Sequence, residues 1–137
     1  SDYRTLVYSN SPEVVSKMNI SDTTYQTYTE GMRRVVTMPG GTARKHFGGC
    51  EDPDANQWPS KITVCAKTGT AQHSSGGSDH GVFVCFAPRE DPEIAIAIFG
   101  EKAAHGSSLA PAAEPVLKAY FEMVAASEVY TYENQVS

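Results

Sequence analysis

Residues 61–100 read KITVCAKTGTAQHSSGGSDHGVFVCFAPREDPEIAIAIFG, and the fold class follows from how that run divides. Apolar, strand-like segments stand at Lys61 to Thr70, His80 to Ala87 and Glu93 to Gly100. A Gly/Ser-rich loop separates the first two, and Pro88-Arg89-Glu90-Asp91-Pro92 separates the second from the third. Short apolar runs with such punctuation read as strands. The Pro88–Pro92 gap has hairpin length, so the second and third strands are expected to be antiparallel neighbours. The second strand is apolar on both sides, and the third alternates Ile94, Ile96 and Ile98 against Ala95 and Ala97. That pattern predicts a sheet covered on both faces, with the alanines letting a helix approach closely on one.

Helices are signalled on either side of this run. Ser21 is placed to cap a helix, Asp22 suits its first turn, and Tyr25, Tyr28, Met32, Val35 and Val36 recur at helical spacing. Pro39-Gly40-Gly41 ends it, and Thr42 stands where it would cap one more short turn, Ala43 to Phe47. Residues 48–60 read as a loop. After the strands, His105 to Ser108 lead to a last helix with Ala113, Val116, Leu117, Tyr120, Phe121 and Val124 on its apolar face. Pro111 suits a first turn, whereas Pro115 fits only if the regular helix begins around Ala113. Residues 1–19 read as an irregular lead-in with an extended stretch at Thr5 to Tyr8, and 127–137 as a polar tail. The class is α+β: an antiparallel three-stranded meander flanked by helices.

The 137 residues suffice for one domain with a core, and their net charge of -5 argues against a nucleic-acid surface, which needs a basic stripe. No apolar run is long enough to span a bilayer, and no leader pattern opens the chain. Cys50, Cys65 and Cys85 sit at no metal-ligand spacing, and their odd number leaves at least one thiol free. His73, His80 and His105 lack zinc-site spacing. Asp52 to Asn56 opens like a calcium loop, but Gln57 replaces the required Gly and Thr63 the bidentate Glu. No metal or cofactor is therefore expected.

The run that carries chemistry is Ala66-Lys67-Thr68-Gly69-Thr70-Ala71-Gln72, at the end of the first strand. Lys-Thr-Gly alone would arise by chance in about one chain in thirty of this length. Its bland reading is a solvated strand-end lysine between two ordinary β-forming threonines. Its setting, an apolar strand followed by a Gly/Ser loop and a second apolar strand, matches the third motif of the active-site serine enzymes that combine S-x-x-K, S-x-N and K-T-G.

Several collinear segments resemble the class B penicillin-binding proteins, the high-molecular-weight peptidoglycan D,D-transpeptidases. They are Glu30 to Val36, Pro39 to Ala43, Lys67 to Gln72, Asp79 to Phe83 with Phe86-Ala87-Pro88, and Ile94 to Ile98 with Glu101. The resemblance covers about Ile20 to Met123 and implies the C-terminal portion of that family's transpeptidase fold, with 1–137 forming a partial domain. It implies acyl transfer from the D-Ala-D-Ala end of a peptidoglycan stem peptide through a serine, which β-lactams also acylate. Lys67 would place positive charge and assist proton transfer near that serine. Thr68 and Thr70 would hold the terminal carboxylate, Gly69 would leave room for the ligand, and the Thr70 N–H would help form an oxyanion hole. Gln72, His73, Ser74 and Ser75 would line the cleft or form a plain loop. The family's site faces outward from the cell membrane, on a protein anchored by an N-terminal membrane segment.

The chain departs from the family at two points. It contains no S-x-x-K, and the nearest imitation, Thr42-Ala43-Arg44-Lys45, belongs to the Pro-Gly-Gly-Thr-Ala segment. S-x-N is absent too, Tyr8-Ser9-Asn10 and Tyr132-Glu133-Asn134 being imitations outside the expected order. The chain alone is therefore expected to be inactive and to need the remainder of its transpeptidase domain. Uncovered apolar surface would otherwise drive self-association, capture of a partner chain or poor solubility. Rival readings are a non-catalytic penicillin-binding or sensor module, and a serine β-lactamase or D,D-carboxypeptidase.

Overall fold

The computed structural model describes residues 13–51, 61–72 and 77–135, with residues 128–135 as backbone. The stretch at Thr5 to Tyr8 and most of the 48–60 loop lie outside them.

Residues 13–21 carry no regular structure, and helix α1 then spans Asp22–Thr37. Its start is the one read from sequence: the Ser21 hydroxyl accepts the Thr24 N–H at 3.2 Å, with Asp22 in the first turn. Its end is a turn in which Gly40 takes φ +83°. Such a positive φ costs a side-chain-bearing residue, so glycine belongs there. Helix α2, Arg44–Phe47, follows, with Ala43 in the cap position and no side-chain cap. Thr42 thus does not cap it. Its hydroxyl turns instead to Thr68, across 2.9 Å.

Strands β1 (Cys65–Ala71), β2 (His80–Ala87) and β3 (Ile94–Gly100) form an antiparallel sheet in the order β1-β2-β3. The α+β class and the meander are as expected. β1 starts later than the sequence suggested, because its partner strand runs out: Cys65 pairs with Phe86, and just beyond Ala87 lies Pro88, which has no N–H to donate. Ile62 and Val64 remain buried without joining the ladder.

The register assigns the two faces. One carries Ala66, Phe83, Cys85 and Ala87, all buried, with Ile94, Ile96 and Ile98 packed beside them. Phe47 of α2 stacks on Phe83, the ring centroids 5.9 Å apart. A 3-10 turn at Gly106–Leu109 and helix α3, Ala110–Gln135, close over this face through Ala110, Ala113, Leu117 and Phe121. The opposite face carries Val82, Val84 and Phe86, partly exposed, and Ala95, Ala97 and Phe99, exposed. Phe99 keeps 60% of its surface open. The expectation of two covered faces is therefore met on one only, and the helix approaches the isoleucine side of β3, not the alanine side.

Three expectations for α3 are corrected. The helix starts at Ala110 and contains Pro115, which is tolerated because Pro111 and Pro115 lie exposed, where water can take the carbonyl left without a donor. Val116, read as part of the apolar face, is 50% exposed. The helical backbone also continues through 127–135, where the sequence read as a tail.

A polar clamp ties α1 to the β2–β3 hairpin. Arg89 donates to the Thr29 hydroxyl at 3.2 Å, to the Glu30 carboxylate at 3.1 Å and to the Gln26 side-chain oxygen at 2.9 Å. Thr29, fully buried, donates its own hydroxyl to the Tyr25 carbonyl, and its carbonyl accepts the Cys65 thiol at 3.3 Å. A hydrogen bond from Arg34 leads the influences that hold the Glu30 carboxyl below its ordinary range; burial opposes it, and the charges of Arg33 and Arg89 add to it. All three cysteines are free and buried, and burial pushes each thiol up to about 11.

Because the Glu30 carboxyl is depressed in the folded chain, its contribution to stability is present above the ordinary carboxylate pKa and is lost as pH falls through the lowered value. Arg89→Ala should therefore cost about 2 kcal/mol at pH 7 and less once the pH lies below the lowered Glu30 value, in urea unfolding at pH 7 and at such an acid pH. An equal cost at both would show that the Glu30 contact contributes nothing.

Candidate functional site

The site read from sequence lies on the half of β1 that leaves the core. Cys65 and Ala66 are buried, whereas Lys67, Thr70 and Ala71 are exposed and Thr68 and Gly69 half-exposed. One edge of β1 pairs with β2, and no strand pairs with the other among the described residues. Alternation along the strand puts Lys67 and Gly69 on one face and Thr68 and Thr70 on the other, about 7 Å apart along the strand. The structure thus brings Lys67 through Thr70 together as a contiguous exposed strip. The Lys67 ammonium hydrogen-bonds the Thr68 carbonyl. Gln72 is exposed just past the strand end. His73, Ser74 and Ser75 lie outside the described residues.

Two contacts hold this strip, and periodicity signals neither. The first is the hydrogen bond between the Thr42 and Thr68 hydroxyls. The second is steric and involves Gly106, which the sequence offers only as part of the His105 to Ser108 lead-in to the last helix. A Cβ added at Gly106 would stand 2.4 Å from the Gly69 carbonyl oxygen, 2.8 Å from the Gly69 nitrogen and 2.2 Å from the Val82 oxygen. Gly69 and Val82 are cross-strand partners, so the 3-10 turn sits directly on the backbone of the motif. The glycine inside the motif is less constrained by its own chain: a Cβ at Gly69 would meet Val82 at an ordinary 3.6 Å.

The path into that turn is pinned as well. Lys102 and Ala104 adopt left-handed conformations, φ 54° and 63°. Non-glycine residues pay on the order of 1 kcal/mol for that conformation, so the surroundings must hold them. The Lys102 N–H donates to His80 Nδ1 at 3.2 Å, and the Ala104 N–H to the Asp79 carbonyl at 3.0 Å. His80, expected to be structural, is a partner of this loop.

An open cleft of about 730 Å³ runs along α1, lined among others by Asp22, Gln26, Glu30, Gly31, Arg34 and Arg89. None of the motif residues lines it.

A family model described as the penicillin binding protein transpeptidase domain matches residues 2–122. The peptidoglycan D,D-transpeptidase MrdA of Acinetobacter baumannii is 43% identical over 67 residues, which is 39% of this chain and 10% of that protein. Among solved structures, PBP2 of Helicobacter pylori in complex with MreC aligns with a TM-score of 0.56 at 30% identity, over 72% of this chain and 17% of that one. PBP2 of Pseudomonas aeruginosa in complex with WCK 5153 aligns with a TM-score of 0.54 at 34% identity, over 69% of this chain and 18% of that one. The chain thus spans under a fifth of the length of each of these relatives.

Gly106→Ala is expected to force the 3-10 turn off β1, since backbone atoms must give way by more than half an ångström. It should cost about 3 kcal/mol, in line with overpacking at a site that cannot collapse, measured by urea unfolding. An unchanged midpoint would refute the close approach.

Proposed function

The chain belongs to the penicillin-binding protein transpeptidase domain family, class B, and on that premise we propose that it forms the K-T-G half of a peptidoglycan D,D-transpeptidase site. The observation that carries this reading is the exposed strip Lys67–Thr70 on a strand edge that no other strand occupies among the described residues. An extended acyl-D-Ala-D-Ala terminus can add to such an edge as a further strand, with main-chain hydrogen bonds for affinity. β-Lactams, which mimic that dipeptide, take the same place.

The roles proposed are those the family resemblance implies for these positions. Thr68 and Thr70, on one strand face, offer hydroxyls to the terminal carboxylate. Lys67, on the other, supplies positive charge and assists proton transfer at the attacking serine. Once the serine has bonded to the carbonyl carbon, the terminal D-Ala leaves with a proton, and an amine then takes the acyl group. The Thr70 N–H stabilises the oxyanion on the way, a donor worth about 3 kcal/mol of barrier. With no S-x-x-K in its sequence, the chain does not supply the serine and is inactive alone. Gln72 lies near enough to contact the substrate beyond the strand end. Because the substrate is outside the cytoplasm, we place the site on the outer face of the membrane, in a protein anchored by an N-terminal segment. Among the described residues no helix is long and apolar enough to cross a membrane.

The partly exposed face of Val82, Val84, Phe86 and Phe99 is where we place the contact with the remainder of the transpeptidase domain. The chain by itself should then self-associate, its mean mass by light scattering rising with concentration. A clean monomer that binds no apolar dye would sink this assignment.

Labelling with a fluorescent penicillin, read by intact mass, tests the function. A longer protein that contains this chain together with an S-x-x-K segment should take one label, the chain alone none, and Lys67→Ala should slow labelling by about 100-fold or more. Stoichiometric covalent label on the isolated chain would reveal a nucleophile within it and overturn the reading. Reversible binding without covalent label, in the longer protein too, would favour a non-catalytic sensor module.

A further inference from the structure

We infer that Thr42 is a positioning residue for the carboxylate-holding hydroxyl of Thr68, and that the turn Pro39 to Ala43 exists to present it. The inference rests on the function proposed above, in which Thr68 meets the substrate.

Its first support is the direct contact, Thr42 Oγ1 to Thr68 Oγ1 at 2.9 Å, between residues 26 apart in sequence. The second is how firmly the backbone of Thr42 is set, although its side chain is exposed. Gly41 lies so close to the end of α1 that an added Cβ would stand 2.4 Å from the Val35 carbonyl oxygen and 2.8 Å from that of Arg34. The Gly41 N–H donates to the Met38 carbonyl at 2.9 Å, and the Ala43 N–H to the Val35 carbonyl at 3.1 Å. Ala43 is fully buried, and Gly40 makes its left-handed bend just before. Thr42 is therefore held on both sides by groups fastened to α1, and its β-branched side chain has few rotamers to choose from.

The chemistry of two adjacent hydroxyls gives the contact its use. Each can donate one proton and accept at its lone pairs. When a carboxylate arrives, it accepts a hydrogen bond from the Thr68 hydroxyl, whose oxygen can then only accept from a further donor. Thr42 is placed to fill that acceptor site. The result is a directed chain, Thr42 to Thr68 to carboxylate, in which each hydrogen bond polarises the next. Without the Thr42 hydroxyl, Thr68 keeps its proton but loses both the bias on its rotor and the strengthening of its donation. The Gly-Gly-Thr-Ala segment, which in sequence reads as a helix stop and as one of the family-like segments, thereby becomes part of substrate recognition.

The test uses the penicillin-reactive protein that contains this chain, and reads second-order acylation rates with a fluorescent penicillin and with its methyl ester. Thr42→Val should slow acylation by the free acid about 10-fold, the loss of one hydroxyl–hydroxyl hydrogen bond that supports the charge-assisted one, and Thr42→Ser should restore it to within about 3-fold. In a Thr68→Val background the Thr42→Val effect should disappear, because a residue that acts only through its neighbour is non-additive with it. With the methyl ester, Thr42→Val should change little. Additive losses, failure of serine to rescue, or equal losses for acid and ester would each overturn the inference while leaving the function intact. Absence of any acylation in the unsubstituted protein would overturn the function, and this inference with it.

Discussion

The close seating of Gly106 on the Gly69–Val82 pair is the constraint on which the rest of this structure turns. A methyl group there would lie 2.2 Å from the Val82 oxygen and 2.4 Å from that of Gly69. Contact at that distance fixes the 3-10 turn relative to β1 and β2 together, and α3 begins at the next residue, Ala110. The position of α3, and with it the burial of Phe83, Cys85 and Ala87, is thus inherited from one backbone approach. The left-handed residues Lys102 and Ala104 bring the chain to that approach, and their strain is offset by the hydrogen bonds to His80 and Asp79.

The other attachments of β1 come from α1. Arg89 fastens the hairpin to Thr29, Gln26 and Glu30; the Cys65 thiol reaches the Thr29 carbonyl; and the turn after α1 delivers Thr42 to Thr68. A strip of half-exposed residues at a strand end would ordinarily fray. Held by a hydroxyl at Thr68 and by a seated turn at Gly69, it keeps its geometry while its edge stays open. This is the arrangement a recognition strand needs, since a site on a supported strand is placed more precisely than one on a loop.

The parts of this fold that local chemistry decides were legible in the sequence. Ser21, Asp22 and the spacing of Val35 and Val36 marked α1; unbroken apolar character marked β2 at its observed bounds; and the hairpin loop marked the pairing of β2 with β3. What escaped depended on distances between segments far apart in the chain. The start of β1 was misplaced because Pro88, on a different segment, ends the ladder. Thr42 reads locally as a cap, since a threonine before a short helical turn normally is one. Its real partner is 26 residues away. Arg89 looks like a solvated hairpin residue until α1 is laid beside it. Lys67, Thr68 and Thr70 are proposed through a motif and its setting, whereas Gly106, which sits on the backbone of Gly69, carries no motif of its own.

The sheet's second face shows why a correct pattern can yield an incorrect placement. Apolar residues on both sides of β2 and β3 predict cover on both sides, and say nothing of what supplies it. In this chain α3 takes the isoleucine side, leaving Ala95, Ala97 and Phe99 exposed. Small residues at Ala95 and Ala97 still describe a surface made for close approach by something flat or helical, beside an aromatic ring 60% open to solvent. Lys67 projects on this same face, in register with Val84 and Ala97. Whatever covers the alanines therefore meets the sheet on the side that carries Lys67, so under the proposed function the partner that buries the apolar face would also bring the serine. Folding and catalysis would then be completed by one contact.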